Sequence, residues 1–342
     1  MFGNPFHEEL TPASLEDELL TFEIRSSEHK MNQTIDSTFR RCAMLSCLFA
    51  VDLVGAASLQ VAVPQGGVAR WSTIVAQECG MYGKRYPAVD TVCYYPIDIQ
   101  TSIGRHRIVL WDQHGKEHVG YVVVEAEHFP EVRVDLPTGM NRYLELSAED
   151  LARASRETAE VAKILPGLGG APHFSLPLGK PASVLPRSAN DFGSTRTFNG
   201  KTKSLHSGLD FPVDEGSAVK AVAAGTVLLA ADQFFAGNAV YIDHGGGLVS
   251  MYFHLKSITV KAGDTVKRGQ TVGTVGGTGR ATGPHLHIGL RWLGKRIDPE
   301  RLLEAPIKLP GVGDTKAEAE QKIRKADAEE PKETDTPVID EG

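Results

Sequence analysis

The stretch from residue 218 to 292 constrains the fold most. Short runs of β-type composition, at 219–229, 239–243, 248–255, 271–275 and 285–292, are cut by Gly225, Gly245-Gly246-Gly247, Gly263, Gly269 and Gly276-Gly277. No apolar repeat of helical period is sustained through them, so burial has to come from alternation across paired strands. An all-β, mostly antiparallel domain is predicted, starting near Phe174 and spanning residues 172–305.

Upstream, residues 69–75, 92–95, 107–111 and 120–124 are again short β-type runs split by turn residues, which predicts a small β-sandwich over residues 58–137. Ser147 with Asp150 resembles an N-terminal capping box, Leu151, Ala154, Thr158, Val161 and Leu165 form a helical stripe, and Pro166-Gly167 ends it. The fold class is therefore mostly β: an amino-terminal small β-sandwich, one linking helix at 147–165, and a carboxy-terminal antiparallel β domain. Residues 310–342 are acidic and poor in apolar groups, and are predicted to be a disordered tail with at most a transient helix over 317–328.

Acidic residues outnumber basic ones, 43 to 36, for a formal charge of -7, so no nucleic-acid partner is expected. Within a leader of residues 1–57, Arg40 and Arg41 precede an apolar run from 42 to 63, broken by Asp52 and Gln60. Small residues at Val54, Gly55, Ala56, Ala57 and Ser58 offer a cut after Ala56 or Ala57, which predicts a signal peptide at about 40–57 and an exported chain. A buried helix or a single membrane anchor is the competing reading. Asp52 and a clean stretch short of the roughly 20 apolar residues a span requires weigh against the anchor. Cleavage there removes Cys42 and Cys47 and leaves Cys79 and Cys93, which are expected to pair.

Five of the twelve histidines lie between His206 and His287, with Asp210 among them. On a strand, residues two apart emerge on one face, so His285 and His287 point the same way. His206 and Asp210 are spaced for a helical face, but Gly208 and Pro212 argue for a turn entering a strand. Imidazole and carboxylate are ordinary Zn²⁺ donors, and three of them leave a position open for water. By contrast, His106, His114, His118 and His128 are scattered over turns and strand edges and read as solvated.

The ordered pieces His206-Ser207-Gly208-Leu209-Asp210-Phe211, Gly237-Asn238-Ala239-Val240-Tyr241, Tyr252-Phe253-His254-Leu255 and Gly279-Arg280-Ala281-Thr282-Gly283-Pro284-His285-Leu286-His287 resemble the lysostaphin-type, or LytM-domain, zinc metallopeptidases. The resemblance covers the whole second domain. The preceding β region and helix are similar to the amino-terminal module of Gram-negative members only through loose features. It implies that His206, Asp210 and His287 hold one Zn²⁺ and that His254 and His285 are non-ligating active-site histidines. His244, in an Asp-His-Gly-Gly turn, reads as structural. One departure matters: no tyrosine lies between Pro177 and His206, so oxyanion stabilisation falls to zinc, His254, His285 or a further candidate, Arg196. The implied function is a zinc metalloendopeptidase cutting peptidoglycan stem-peptide cross-links, in the periplasm. A metal-free degenerate regulator of another cell-wall hydrolase is the alternative, and a protease of glycine-rich proteins is a third reading. A wall-associated activator or regulator stays open as a partner. Whether the amino-terminal module binds wall polymer or covers the groove is equally open.

Overall fold

The computed structural model describes residues 59–165, 170–188, 191–314 and 316–329. The expected signal peptide with its cleavage site, and the tail beyond residue 329, lie outside them. Among the described residues no helix is long and apolar enough to cross a membrane.

Seven strands open the described residues: β1 (Gln60–Pro64), β2 (Val68–Trp71), β3 (Ala76–Met81), β4 (Lys84–Pro87), β5 (Cys93–Pro96), β6 (Gly104–Asp112) and β7 (Glu117–Glu125). Five form a sheet in the order β1-β7-β6-β3-β4, with only β1 and β7 parallel, and β2 pairs with β5 in a second, two-stranded sheet. Alternation supplies the core. Along β7, Val122 and Val124 are buried while Tyr121 and Val123 are partly exposed, and the buried pair shares a cluster with Trp71, Tyr95, Ile108 and Leu110. A disulfide between Cys79 on β3 and Cys93 on β5, with Cα atoms 5.5 Å apart, ties one sheet to the other.

The next strand departs from the sequence reading. β8 (Glu131–Val134), counted there with the first module, runs parallel to β9 (Thr195–Phe198), whose other edge pairs with β10 (Thr202–Leu205). Between β8 and β9 lies α1 (Ala148–Ile164), capped by Ser147, whose side chain accepts from the Asp150 amide at 3.0 Å. Of its predicted stripe, Val161 and the C-cap Leu165, joined by Ile164, pack on the buried cluster of Ala239, Tyr241, Val249 and Met251 and Ala154 is buried, whereas Leu151 is exposed. Glu157 accepts from the Phe234 amide at 2.6 Å and Arg153 binds Asp232 at 3.0 Å, which fixes the helix along the second domain.

That domain contains β11 (Gly208–Phe211), β12 (Ala218–Lys220), β13 (Gly225–Gln233), β14 (Gly237–Asp243), β15 (Leu248–Leu255), β16 (Ser257–Ile258), β17 (Thr265–Val266), β18 (Thr271–Thr274), β19 (Leu286–Trp292) and β20 (Lys295–Ile297). The large sheet is antiparallel throughout, in the order β11-β19-β15-β14-β13-β17 with β20 also on β19, and β12-β18-β16 form a small one. Leu209, Ile242, Tyr252, Leu286, Ile288 and Leu290 of the large sheet share one buried cluster with Val219 and Val272 of the small one. The cluster continues into the amino-terminal module. Tyr94 and Phe174 pack on Trp292 with ring centres 5.7 and 5.6 Å away, and Arg296 pairs with Asp98 at 2.8 Å.

The expectation of a disordered tail from residue 310 is corrected as far as residue 329. After α2 (Glu300–Leu303), the chain runs back beside β2: Arg70 N donates to Pro310 O and Val312 N donates to Arg70 O, at 2.9 and 2.8 Å. Leu309 and Val312 are buried, and the Arg70 guanidinium pairs with Asp314 at 3.0 Å with both side chains under a tenth exposed. α3 (Lys316–Glu329) follows, held by Lys322 to Asp314 and by Lys308 to Asp327. Two apolar residues in an acidic segment are a faint sequence signal; the anchor is one buried ion pair, which composition does not reveal.

Two stability measurements follow. Asp314→Ala leaves the Arg70 charge buried without its anion and should cost about 3–5 kcal/mol in urea unfolding, whereas a solvated tail would make it neutral. The Cys79→Ala/Cys93→Ala double variant should lose about 3 kcal/mol on the chain-entropy estimate for a short loop. Four titratable thiols in the unreduced, denatured full-length chain, or two in a form that starts after Ala57, would contradict the disulfide.

Candidate metal centre

Strand register assembles the site. β11 pairs with β19 so that Asp210 stands opposite His287, and β15 pairs with the other edge of β19 so that Phe253 stands opposite the same residue. Facing residues of adjacent strands project to one side, and the Phe253 ring stacks on His287 at 5.0 Å between centres, with the planes 5° apart. His206 lies just ahead of β11. Its backbone is bound to the turn before β9, N to Ser194 O at 2.8 Å and O from Gly193 N at 2.7 Å. Gly208 has to lack a side chain, because a Cβ there would stand 2.6 Å from His287 Nε2.

Three donor atoms converge. Asp210 Oδ1 lies 2.7 Å from His287 Nδ1 and 3.3 Å from His206 Nε2, and the two nitrogens are 3.2 Å apart. Ligands at about 2.0–2.1 Å around a tetrahedral zinc ion are separated by roughly 3.3 Å, so this triangle has the size of one face of such a shell. The donor set of two imidazoles and one carboxylate fits the same ion. His254, His285 and His287 also bring donor atoms within 4.8 Å of one another, but that group lacks a carboxylate to offset an ion's charge.

The electrostatics agree with a site built for a cation. Burial alone would raise the Asp210 pKa, yet the imidazoles of His206, His285 and His287 around it hold it far below the usual carboxylate range. Burial opposes charge on His206, but its bonds to Asp191 and Asp210 push it up to about 9. A proton thus sits where a divalent ion would otherwise neutralise the carboxylates, and loading an ion would release it.

His254 and His285 flank this triangle. The His254 ring is 5.8 Å from that of His287 and 5.1 Å from that of His285. Strict alternation would send His254 away from Phe253. Instead His254 adopts φ +59°, next to a register shift in the pairing of β14 with β15, and both rings reach His287. Such a backbone costs on the order of 1–3 kcal/mol, and it is held by His254 N to Ala236 O and Thr278 N to His254 O. In both histidines Nδ1 donates to a carbonyl, Thr278 O at 2.8 Å and Gly283 O at 2.9 Å, which leaves Nε2 for chemistry. Burial, then His287 and His285, push His254 down to about 3, so it is neutral near pH 7. His285 Nε2 is buried with no hydrogen-bond partner, and Asp210 Oδ1 stands 3.5 Å away.

His244 is elsewhere, fully buried between Ala224 O and the Ser250 hydroxyl at 2.8 and 2.7 Å, in keeping with a structural role. Arg196 is committed differently from its reading as an oxyanion candidate. Its Nη2 donates to Asp210 Oδ2 at 2.6 Å and to Asp191 Oδ2. Asp191 was invisible in the sequence. It lies fifteen residues before His206 with no helical or strand spacing to link them, and the turn ahead of β9 brings its Oδ2 to 3.3 Å from His206 Nδ1. That contact fixes the His206 proton on Nδ1 and presents Nε2 to the triangle.

Comparison with known proteins places the site in a family. The profile of Peptidase family M23 matches residues 204–299. The peptidoglycan DD-endopeptidase ShyC of Vibrio cholerae is 40% identical over 124 residues, 35% of this chain and 28% of that protein. The DD-carboxypeptidase/endopeptidase Mpg of Neisseria meningitidis is 39% identical over 98 residues, 29% of this chain and 23% of that protein. The matches thus span about a quarter of these curated relatives. A crystal structure of a Pseudomonas aeruginosa protein assigned to peptidase M23 superposes with a TM-score of 0.54 at 31% identity, covering 70% of this chain and 94% of that one. A likeness that takes in nearly all of that molecule, β module included, goes beyond one shared motif: the chain belongs to peptidase family M23.

Proposed function

We propose that the chain is a zinc-dependent endopeptidase that hydrolyses the peptide cross-links of bacterial peptidoglycan. The observation that carries this reading is the triangle of His206 Nε2, Asp210 Oδ1 and His287 Nδ1, with sides of 2.7–3.3 Å, beside the unpartnered Nε2 of His285. When bound, zinc would polarise a scissile carbonyl and acidify water at the position the three side chains leave open. His206, Asp210 and His287 are the proposed ligands, and all other work falls to the chain's own groups. The Nε2 atoms of His254 and His285 supply an acceptor for the proton of the attacking water and a donor for the carbonyl oxygen and the leaving amine. Carbonyl anchors on both Nδ1 atoms keep the two rings from turning away. The curated relatives that act on peptidoglycan supply the substrate class. The disulfide and the leader support work outside the cytoplasm, in the periplasm.

The reading separates two kinds of variant. Asp210→Ala and His287→Ala should lose bound zinc and all cleavage of purified sacculi. His254→Ala and His285→Ala should keep zinc near one ion per chain while turnover falls by about 10² to 10⁴. Metal analysis and cleavage are read on the same samples. Zinc lost from His285→Ala but kept in His287→Ala would reverse the assignment along β19, and wild-type cleavage by all four would sink it.

A further inference from the structure

A carboxylate can hold a metal ion by one oxygen or by two, and the choice decides how many positions stay open for water and substrate. The two oxygens of Asp210 have different partners. Oδ1 faces His287 Nδ1 at 2.7 Å and His206 Nε2 at 3.3 Å, whereas Oδ2 accepts from Arg196 Nη2 at 2.6 Å. The same nitrogen donates to Asp191 Oδ2, and Asp191 in turn lies 3.3 Å from His206 Nδ1. Arg196, Asp191, His206 and Asp210 therefore close a ring of contacts behind the triangle, with side chains 5–21% exposed. One guanidinium nitrogen, with two hydrogens, bridges two carboxylates that would otherwise repel each other.

We propose that Arg196 is a positioning residue that keeps Asp210 a one-oxygen ligand, and that Asp191 completes the brace by orienting His206. The fold makes this brace rigid. Arg196 sits on β9, the middle strand of three, opposite Ser204 of β10 and Val132 of β8, so its strand is paired along both edges. Without the guanidinium, Asp210 is free to turn both oxygens onto the ion, which raises the coordination number and fills the position that a reacting water needs. A lysine keeps the charge, but its nitrogen ends one bond short of the position Nη2 holds between the two carboxylates.

The inference rests on the metal reading above, and cobalt separates the two. Cobalt(II) is loaded into the wild type, Arg196→Lys, and the charge-balanced double variant Arg196→Gln/Asp191→Asn, which removes one cation and one anion together and so protects the fold. Visible d–d bands of four-coordinate cobalt are intense and weaken on a fifth ligand. The wild type should give intense bands, and both variants should give clearly weaker ones. Zinc affinity, measured by competition with a chromophoric chelator, should fall by about 10- to 100-fold in the double variant, and sacculus turnover should fall with KM little changed. Variants that load cobalt with the wild-type spectrum and bind zinc with wild-type affinity would overturn the role of Arg196 while leaving the metal centre intact. A wild type that takes up neither ion overturns the metal reading itself.

Discussion

The pairing of β11 with β19 is the contact on which the site depends. It sets Asp210 across from His287, and no loop motion can substitute for it, because strand register changes only in whole residues. A slip by one would turn the polar pair to the opposite face of the sheet and bring Leu209 or Phe211, both now buried, in its place. The apolar residues that forbid the slip are the immediate neighbours of the donors. Leu286 and Ile288 are buried on the strand whose His287 faces the site. Core and centre are thus specified by the same alternation, which is why a stretch with almost no helix can hold three donor atoms so closely.

What surrounds the triangle works through restraint. The two flanking histidines are pinned by carbonyls, one of them on a left-handed backbone, and His206 and Asp210 are pinned by a charged ring around Arg196. Each restraint has a cost: a strained φ, buried charge, a glycine where a side chain would collide. A protein tolerates such costs where the surrounding packing is strong, and here β15 and β19 lie inside the large sheet with partners on both edges.

Legibility in the sequence follows the range of the interaction. The β architecture could be read because alternation and glycine punctuation are local. His285 and His287 declared themselves by a two-residue spacing, and the ordered motifs carried the resemblance to the family. Asp191 could not be read, since its tie to His206 exists only once the β9 hairpin has folded back. The docking of the segment from Pro310 to Asp314 was missed for a similar reason: one arginine 244 residues away in sequence makes the anchor. The positive φ of His254 has no marker either, although histidine enters that region more readily than most residues.

The parallel strand β8 limits how this chain can be taken apart. It is contributed by the chain ahead of the linking helix, yet it forms the outer edge of the sheet whose middle strand carries Arg196. A fragment beginning at residue 172 would keep every proposed ligand and still leave β9 as an exposed edge, open to slippage and to pairing with other chains. In this chain the matched segment is therefore not a cassette that can be excised at its sequence boundaries. Any recombination of this chain has to carry residues 131–134 with it to keep β9 paired along both edges behind His206 and Asp210.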